Sequence, residues 1–324
     1  MSVGFKHFAG WFRRWPLSIQ GTGQGTGHRQ GHINALLAFL LLAVMSAAVK
    51  GLDGKTPLIM ILFSRFLFGF LCQLPLLLRP NHWPKLLASK QYNGHIVHAL
   101  FGLSAVGLNF FALPQLPLGD ASALSLLTPL LMLLLAPTIM DEVVTPRQWL
   151  MVGTGFLGVL LIARPTGSLA SWPVFLMIIA AIFAALSQLM VRRLTTTDSN
   201  ATIFTYYHLS ALLLLAWFMP ASWHNPDWQE WILLLVVGLA GGLAQMLLTQ
   251  AYRLLPATQA SPYEYTSFVW SVLFGLLIWH EQPHRLMLLG GAIIIASSWW
   301  CNRHALKNWR HRPDEADDAQ LNLL

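Results

Sequence analysis

Three charged side chains interrupt otherwise apolar stretches of this sequence: Arg65, Asp120 and Glu264. A charge within a bilayer costs about 2.5–3.5 kcal/mol on insertion scales, so each marks a functional position or an internal ion pair. Glu264 is the sharpest of the three. It stands in Ser261-Pro-Tyr-Glu-Tyr-Thr266, with a proline two residues before it and a phenol on either side. Pro262 removes a main-chain donor and bends a helix towards a cavity. A carboxylate there can titrate with a transport cycle or attract a cationic group, and it can also pair with Arg65. These readings are compatible, because a competed ion pair couples binding to movement. Arg65 suits a substrate carboxylate, or an ion pair with Asp120 or Glu264. Asp120 follows Pro117 at the start of an apolar run, where a helix N-terminus favours a carboxylate. Trp270 lies about two turns beyond Glu264. The candidate substrate-binding set is Arg65, Asn109, Tyr263, Glu264, Tyr265 and Trp270, and Asp120 and Glu264 are the candidates for coupling.

Other chemistries find no support in the residues. No nucleophile–base pair is evident, so no catalytic residue is assigned and an enzyme is not expected. Cys72 and Cys301 sit in apolar runs without CxxC spacing and read as buried small hydrophobes. His280 and His284 are four apart, but Pro283 intervenes and no carboxylate completes a metal site. Gly153-Thr-Gly-Phe-Leu-Gly158 satisfies the dinucleotide pattern GxGxxG, yet it lies inside an apolar run without the preceding strand that pattern needs. Its glycines, with Gly238, Gly241, Gly242, Gly290 and Gly291, read as places where helices pack closely. Ser122, Ser125, Thr128, Gln188, Tyr206, Tyr207, His208, Gln245, Gln250 and Tyr252 read as interhelical hydrogen-bonding groups. No cofactor and no metal are expected.

The elements that must carry these residues are apolar helices. Of 324 residues, 55% are hydrophobic and only 10% charged, against about a quarter charged in a soluble domain. The composition is that of a polytopic membrane protein. Helices needing about 20 apolar residues to cross the hydrocarbon core are predicted at 33–52, 57–78, 95–113, 118–140, 148–163, 172–191, 202–220, 230–250, 257–279 and 285–301. Nothing alternates with strand period, so the fold class is all-α. Positive charge orients the bundle. With the N-terminus inside, 15 Lys and Arg fall on the cytoplasmic side, while Lys50, Lys55, Arg164 and Arg285 fall outside. The net charge of +7 is therefore a topology signal and not a nucleic-acid footprint. Residues 1–32 form a cytoplasmic tail in which Phe5, Phe8, Phe12 and Trp15, beside Lys6, Arg13 and Arg14, suggest a helix lying on the inner membrane face. Residues 304–324 form a second cytoplasmic tail.

The chain also repeats. Residues 102–158 recur without a gap as 241–297, with twelve identities that include Gly102/Gly241, Pro117/Pro256, Ser122/Ser261 and Glu142/Glu281. Five spans per half place the second half upside down relative to the first. The predicted architecture is ten transmembrane helices in two inverted five-helix repeats, residues 33–163 and 172–301. Such repeats mark secondary transporters, which bind substrate at the repeat interface. A cavity enclosed by the third, fourth, eighth and ninth helices is expected. Ser125 aligns with Glu264, and Ala123 with Pro262, so the halves differ where substrate chemistry is expected.

Pro117-Leu-Gly-Asp-Ala-Ser-Ala-Leu124, Thr128-Pro129, Asp141-Glu142-Val-Val-Thr-Pro-Arg-Gln-Trp149 and Gly153–Gly158 resemble the EamA family of the drug/metabolite transporter superfamily. Ala251-Tyr-Arg-Leu-Leu-Pro-Ala-Thr-Gln-Ala260, Phe274-Gly275 and Glu281 resemble the same pattern in the second half. The resemblance covers about residues 33–303. It implies a multi-pass carrier of the bacterial inner membrane with both termini cytoplasmic. It implies a small amino acid-like or drug-like substrate moved by alternating access, most often exported. Uptake of a vitamin, a nucleoside-like metabolite or S-adenosylmethionine is the alternative, and a non-transporting membrane subunit or an intramembrane enzyme is a more remote one. The expected partners are the substrate and membrane lipid, with no nucleic acid, and the assembly is a monomer or homodimer. Arg65 matches a common second-helix arginine of the family. Glu142 and Glu281 match the glutamate that ends the fourth and ninth helices and fixes the following turn. Asp141 and His280 depart from the glycine that many members carry before it.

Overall fold

A computed structural model describes residues 26–52, 54–73, 87–89, 91–139, 145–163, 172–260, 263–293 and 295–297. Among these residues the regular structure is helical throughout. The helices are α1 (Thr26–Gly51), α2 (Leu58–Leu71), α3 (Tyr92–Ala112), α4 (Leu118–Ser125), α5 (Leu127–Ile139) and α6 (Pro146–Ala163). They continue as α7 (Trp172–Leu194), α8 (Asn200–Phe218), α9 (Trp228–Leu254), α10 (Ala257–Ala260), α11 (Glu264–Trp279) and α12 (Arg285–Ser297). The expected interfacial helix near Phe5–Trp15, the acidic C-terminal tail, Glu142, Pro262 and Cys301 lie outside the described residues.

Helix ends follow local chemistry. Pro57, Pro117 and Pro256 immediately precede α2, α4 and α10, and fixed φ with no N–H donor suits a helix start. The Asp227 carboxylate accepts the Glu230 N–H at 2.8 Å while Glu230 accepts the Asp227 N–H at 2.9 Å, a capping box that opens α9. Ser199 caps α8 by accepting the Thr202 N–H at 3.0 Å. The first helix begins seven residues earlier than hydropathy predicts, because its polar first turns pack beside the end of α9, where Gly31 meets Leu254 and Leu255.

Among the described residues, six helical segments are long and apolar enough to cross a membrane: Arg29–Gly51, Tyr92–Gln115, Leu118–Ile139, Trp172–Leu194, Asn200–Phe218 and Trp228–Leu254. Four shorter apolar helices, Leu58–Leu71, Trp149–Gly158, Glu264–Trp279 and Arg285–Ser297, occupy the other predicted segments. Large apolar side chains point outwards, with Trp217 83% and Leu213 69% exposed. An apolar exterior of this kind belongs in lipid.

The most extensive contacts run between the halves: α1 packs along α9, and α7 along α3. The first helix of each half thus lies against the third helix of the other. A Cβ on Gly242 would stand 2.5 Å from the Gly69 Cα, and one on Gly238 would stand 2.7 Å from the Ser64 carbonyl oxygen. Without side chains at these two positions, α9 reaches the backbone of α2.

A polar tie joins one end of the bundle. Lys50, at the end of α1, pairs with Glu281 and donates to the Leu116 carbonyl at 2.9 Å. Glu281 also accepts the Leu118 N–H, at the start of α4, at 2.9 Å. His280 turns the chain here with φ 56°, the left-handed region.

Candidate functional site

Two helical segments face each other across a cavity. The one carrying α4 and α5 turns at Leu126, and the other is α11, which begins at Glu264. Interrupted spans release backbone groups and aim side chains into transporter cavities. The cavity between them encloses about 830 Å³ of empty space, part of it open to the outside. Its walls come from α1 (Phe39, Met45), α3 (Ala105, Phe110), α4 and α5, α7 (Ala180, Ala184) and α11. The expected third, fourth and ninth helices contribute. The expected eighth, α9, does not, because its face is taken up against α1 and α2; the first and sixth, α1 and α7, stand in its place.

Polar groups line one continuous surface of this cavity. The fourth segment supplies Ser122, Ser125 and Thr128, and α11 supplies Glu264, Ser267 and Ser271. Ser46, Asn109 and Gln188 add to them. Among the described lining residues, Glu264 is the only charged side chain. It is 7% exposed and sits in the first turn of α11, where the helix N-terminus favours negative charge. Gln188 and Thr128 lie within hydrogen-bonding reach of its carboxylate, and its Oε2 is buried without a partner. Tyr252 donates to the Gln188 carbonyl oxygen, which turns the Gln188 amide nitrogen towards Glu264. Such a carboxylate can hold a cationic group or a proton, and the surrounding hydroxyls and amides can bind neutral polar groups.

The rest of the sequence-derived set lies elsewhere. Arg65 is 2% exposed, packed among Phe66, Tyr207, His208 and Gly241, and makes no ion pair with Glu264. Tyr263 bonds through its hydroxyl to His32 Nδ1 at 2.9 Å. Tyr265 packs with Ala123, Leu126, Leu130, Phe268 and Met287, behind the cavity wall. Trp270 and Asp120 are partly buried off the cavity. The reason is helical geometry. Glu264, Ser267 and Ser271 share one stripe of α11, whereas each step in sequence turns a side chain by about 100°. Neighbours in the sequence therefore point away. Of the candidate substrate-binding residues, only Asn109 and Glu264 face the space. Ser46, Ser267 and Ser271 were the residues missed; for Ser267 and Ser271 the i, i+3, i+7 spacing from Glu264 on α11 was the available signal, and Ser46 on α1 carried none.

The sequence pattern of the EamA-like transporter family matches this chain twice, over residues 29–164 and 171–303. The chain belongs to the EamA-like transporter family. It is 28% identical over 269 residues to a riboflavin transporter of Brucella anthropi, covering 81% of this chain and 94% of that protein. A pseudopaline exporter of Pseudomonas aeruginosa is also 28% identical over 269 residues, with 81% and 92% covered. An S-adenosylmethionine uptake transporter of Rickettsia bellii is 26% identical over 267 residues, with 80% and 90% covered. A protein of known crystal structure, 17% identical, shares the fold with a TM-score of 0.67 over 86% of this chain and 99% of its own. An EamA member with these relatives is a multi-pass membrane transporter of a small molecule and not an enzyme.

Proposed function

We propose that this transporter carries a small metabolite with a cationic centre across a bacterial inner membrane by alternating access, and that it works as an exporter. The observation that carries the proposal is the Glu264 carboxylate, the one charge among the described residues that line the cavity. An anion would find no counter-charge there, whereas an ammonium or sulfonium group would find Oε2 unoccupied. The ten spans form two inverted repeats with both termini cytoplasmic, and the repeats rock about the cavity. The contact of α1 with α9 and of α7 with α3 supports this pseudo-symmetric arrangement. Arg65, Tyr263, Tyr265, Trp270 and Asp120 act from behind the cavity wall. The assembly is a monomer or homodimer in lipid. Uptake is a second reading, favoured by the S-adenosylmethionine relative, because a sulfonium compound would suit the same carboxylate.

A thermal-shift screen of the purified protein against amines, amino acids, vitamins, nucleosides and S-adenosylmethionine identifies ligands. Exchange in oriented proteoliposomes then separates export from uptake. The expected hits are cationic. Glu264→Gln should weaken them roughly 10- to 100-fold, the value of a hydrogen bond to a charged group, and flatten the pH dependence of transport at unchanged protein yield. Anionic hits bound equally by wild type and Glu264→Gln would overturn the proposal.

A further inference from the structure

A second buried polar assembly lies apart from the cavity, where α2 meets α8 between α3 and α9. Arg65 (2% exposed), His98 (1%), Tyr207 (3%) and His208 (0%) meet there. His98 stacks on Tyr207 with ring centroids 4.5 Å apart, and Tyr207 meets His208 edge-on at 5.3 Å. His208 Nε2 and Arg65 Nη1 both converge on the Cβ-free face of Gly69. Three residues before His98, on the same face of α3, His95 Nε2 lies 3.0 Å from the Asp198 carboxylate and 3.1 Å from Ser89 Oγ. The groups thus form a column: Asp198, His95, His98, Tyr207, His208, Arg65.

Both halves of the chain make room for this column at matching positions. Gly102 and Gly241 are repeat mates. A Cβ on Gly102 would stand 2.9 Å from the Tyr207 hydroxyl and 3.0 Å from Ser187 Oγ. A Cβ on Gly241 would stand 2.6 Å from Arg65 Cζ. A glycine of each half therefore receives a polar side chain from the other, and the column runs through the junction between them.

Each histidine of the column is bonded through one ring nitrogen and left bare at the other. His208 Nδ1 is 3.0 Å from the Phe204 carbonyl, which only accepts, so Nδ1 carries the hydrogen and Nε2 is bare. That Nε2 is buried without a partner, as are His95 Nδ1, His98 Nε2, and Arg65 Nε and Nη1. Each such atom is costly to bury. Ionisable chains of this kind inside membranes serve as proton relays. Ser187, 2.9 Å from His98 Nδ1, precedes Gln188 of the cavity wall, so α7 connects the two sites.

We propose that this histidine column binds a proton at the junction of the two halves and couples proton movement to transport. The coupling clause rests on the transporter reading; the proton-binding clause does not. A bare ring nitrogen takes up H⁺ to give an imidazolium and later returns it, with no bond between heavier atoms made or broken. The titratable groups facing the column are Arg65 from α2 and Cys72 just past its end, His95 from α3, Tyr206 and Tyr207 from α8, and Asp198 from the turn between α7 and α8.

The test is ¹⁵N NMR of the histidine rings in the full-length protein in lipid nanodiscs between pH 5.5 and 8.5. His98→Gln and His208→Gln assign the two signals; if His98→Gln does not fold, Ser187→Ala identifies His98 by perturbing Nδ1. At least one ring is expected to change protonation in this range, in Glu264→Gln as in wild type. With any transported compound from the screen, accumulation driven by a pH gradient should fall tenfold or more in His98→Gln, while counterflow, which needs no coupling, persists. Two rings that stay neutral throughout, or accumulation and counterflow falling together, would overturn the proposal. Because the ring measurement needs no substrate, its failure is distinguishable from failure of the cavity reading.

Discussion

His280 carries a side chain where the backbone favours none. Its φ of 56° and ψ of 28° place it in the left-handed region just past α11, and the following Glu281 N–H returns to the Gly275 carbonyl at 3.0 Å. This is a glycine-type helix ending, and the EamA resemblance carries glycine at the same point. The left-handed conformation costs a residue with a Cβ about 1–2 kcal/mol, while glycine's greater freedom when unfolded offsets about 0.5–1 kcal/mol. His280→Gly is therefore expected to stabilise the protein by about 0.5–1 kcal/mol, read as a higher unfolding midpoint in detergent. An unchanged midpoint would mean that the histidine ring recovers the difference through its own contacts. Residues of this kind divide in how legible they are. Glu264 announced itself as a charge in an apolar run. Gln188 and Thr128 did not, because single amides and hydroxyls are ordinary between membrane helices. Arg65 stood out, but its direction, towards α8 and α9 and away from the cavity, depends on packing that hydropathy does not encode.

Helices were more legible than their faces. Each predicted apolar segment contains a helix among the described residues, because lipid tolerates no unpaired backbone. What hydropathy missed was the turn at Leu126, which falls inside continuously apolar sequence, so period and composition carry no sign of it. The small-residue positions also differ in what they do. Gly242 lies against the backbone of Gly69, which cannot rotate away, whereas a Cβ on Gly153 meets nothing within 4 Å. Gly242→Val should separate α9 from α2 and destabilise by about 1–3 kcal/mol, the usual penalty of overpacking. Gly153→Ala should be neutral or stabilising, by up to about 1 kcal/mol of helix propensity. Thermal unfolding of the two variants side by side checks both. Equal midpoints would show that the approach of α9 to α2 is not held by the missing side chain.

At the scale of the whole molecule, the proposed rocking of the two halves would make single contacts between them govern opening. Lys50 and Leu118 belong to the first half, Glu281 to the second, and the carboxylate joins both at once. Lys50 also lies over the Trp279 ring, 5.5 Å from its centroid, so the tie gathers the ends of α1 and α11 and the start of α4. These helices also line the cavity, through Ser46, Ser122 and Ser271. In the proposed cycle, the two halves must part at this tie when that end opens. With the N-terminus inside, this end is the outer one. Lys50→Ala, Glu281→Ala and the double variant should show a coupling energy of about 0.5–3 kcal/mol, as contacting residues do. Opening gives the more direct readout. In a chain with Cys72 and Cys301 replaced by serine, a cysteine introduced at Ser122 should react several-fold faster with a membrane-impermeant maleimide added outside once Glu281 is changed to Gln. Acceleration from the cytoplasmic side alone would invert the topology drawn from the lysine and arginine distribution. Unchanged labelling from both sides would reduce the tie to a contact that stabilises the fold without governing access.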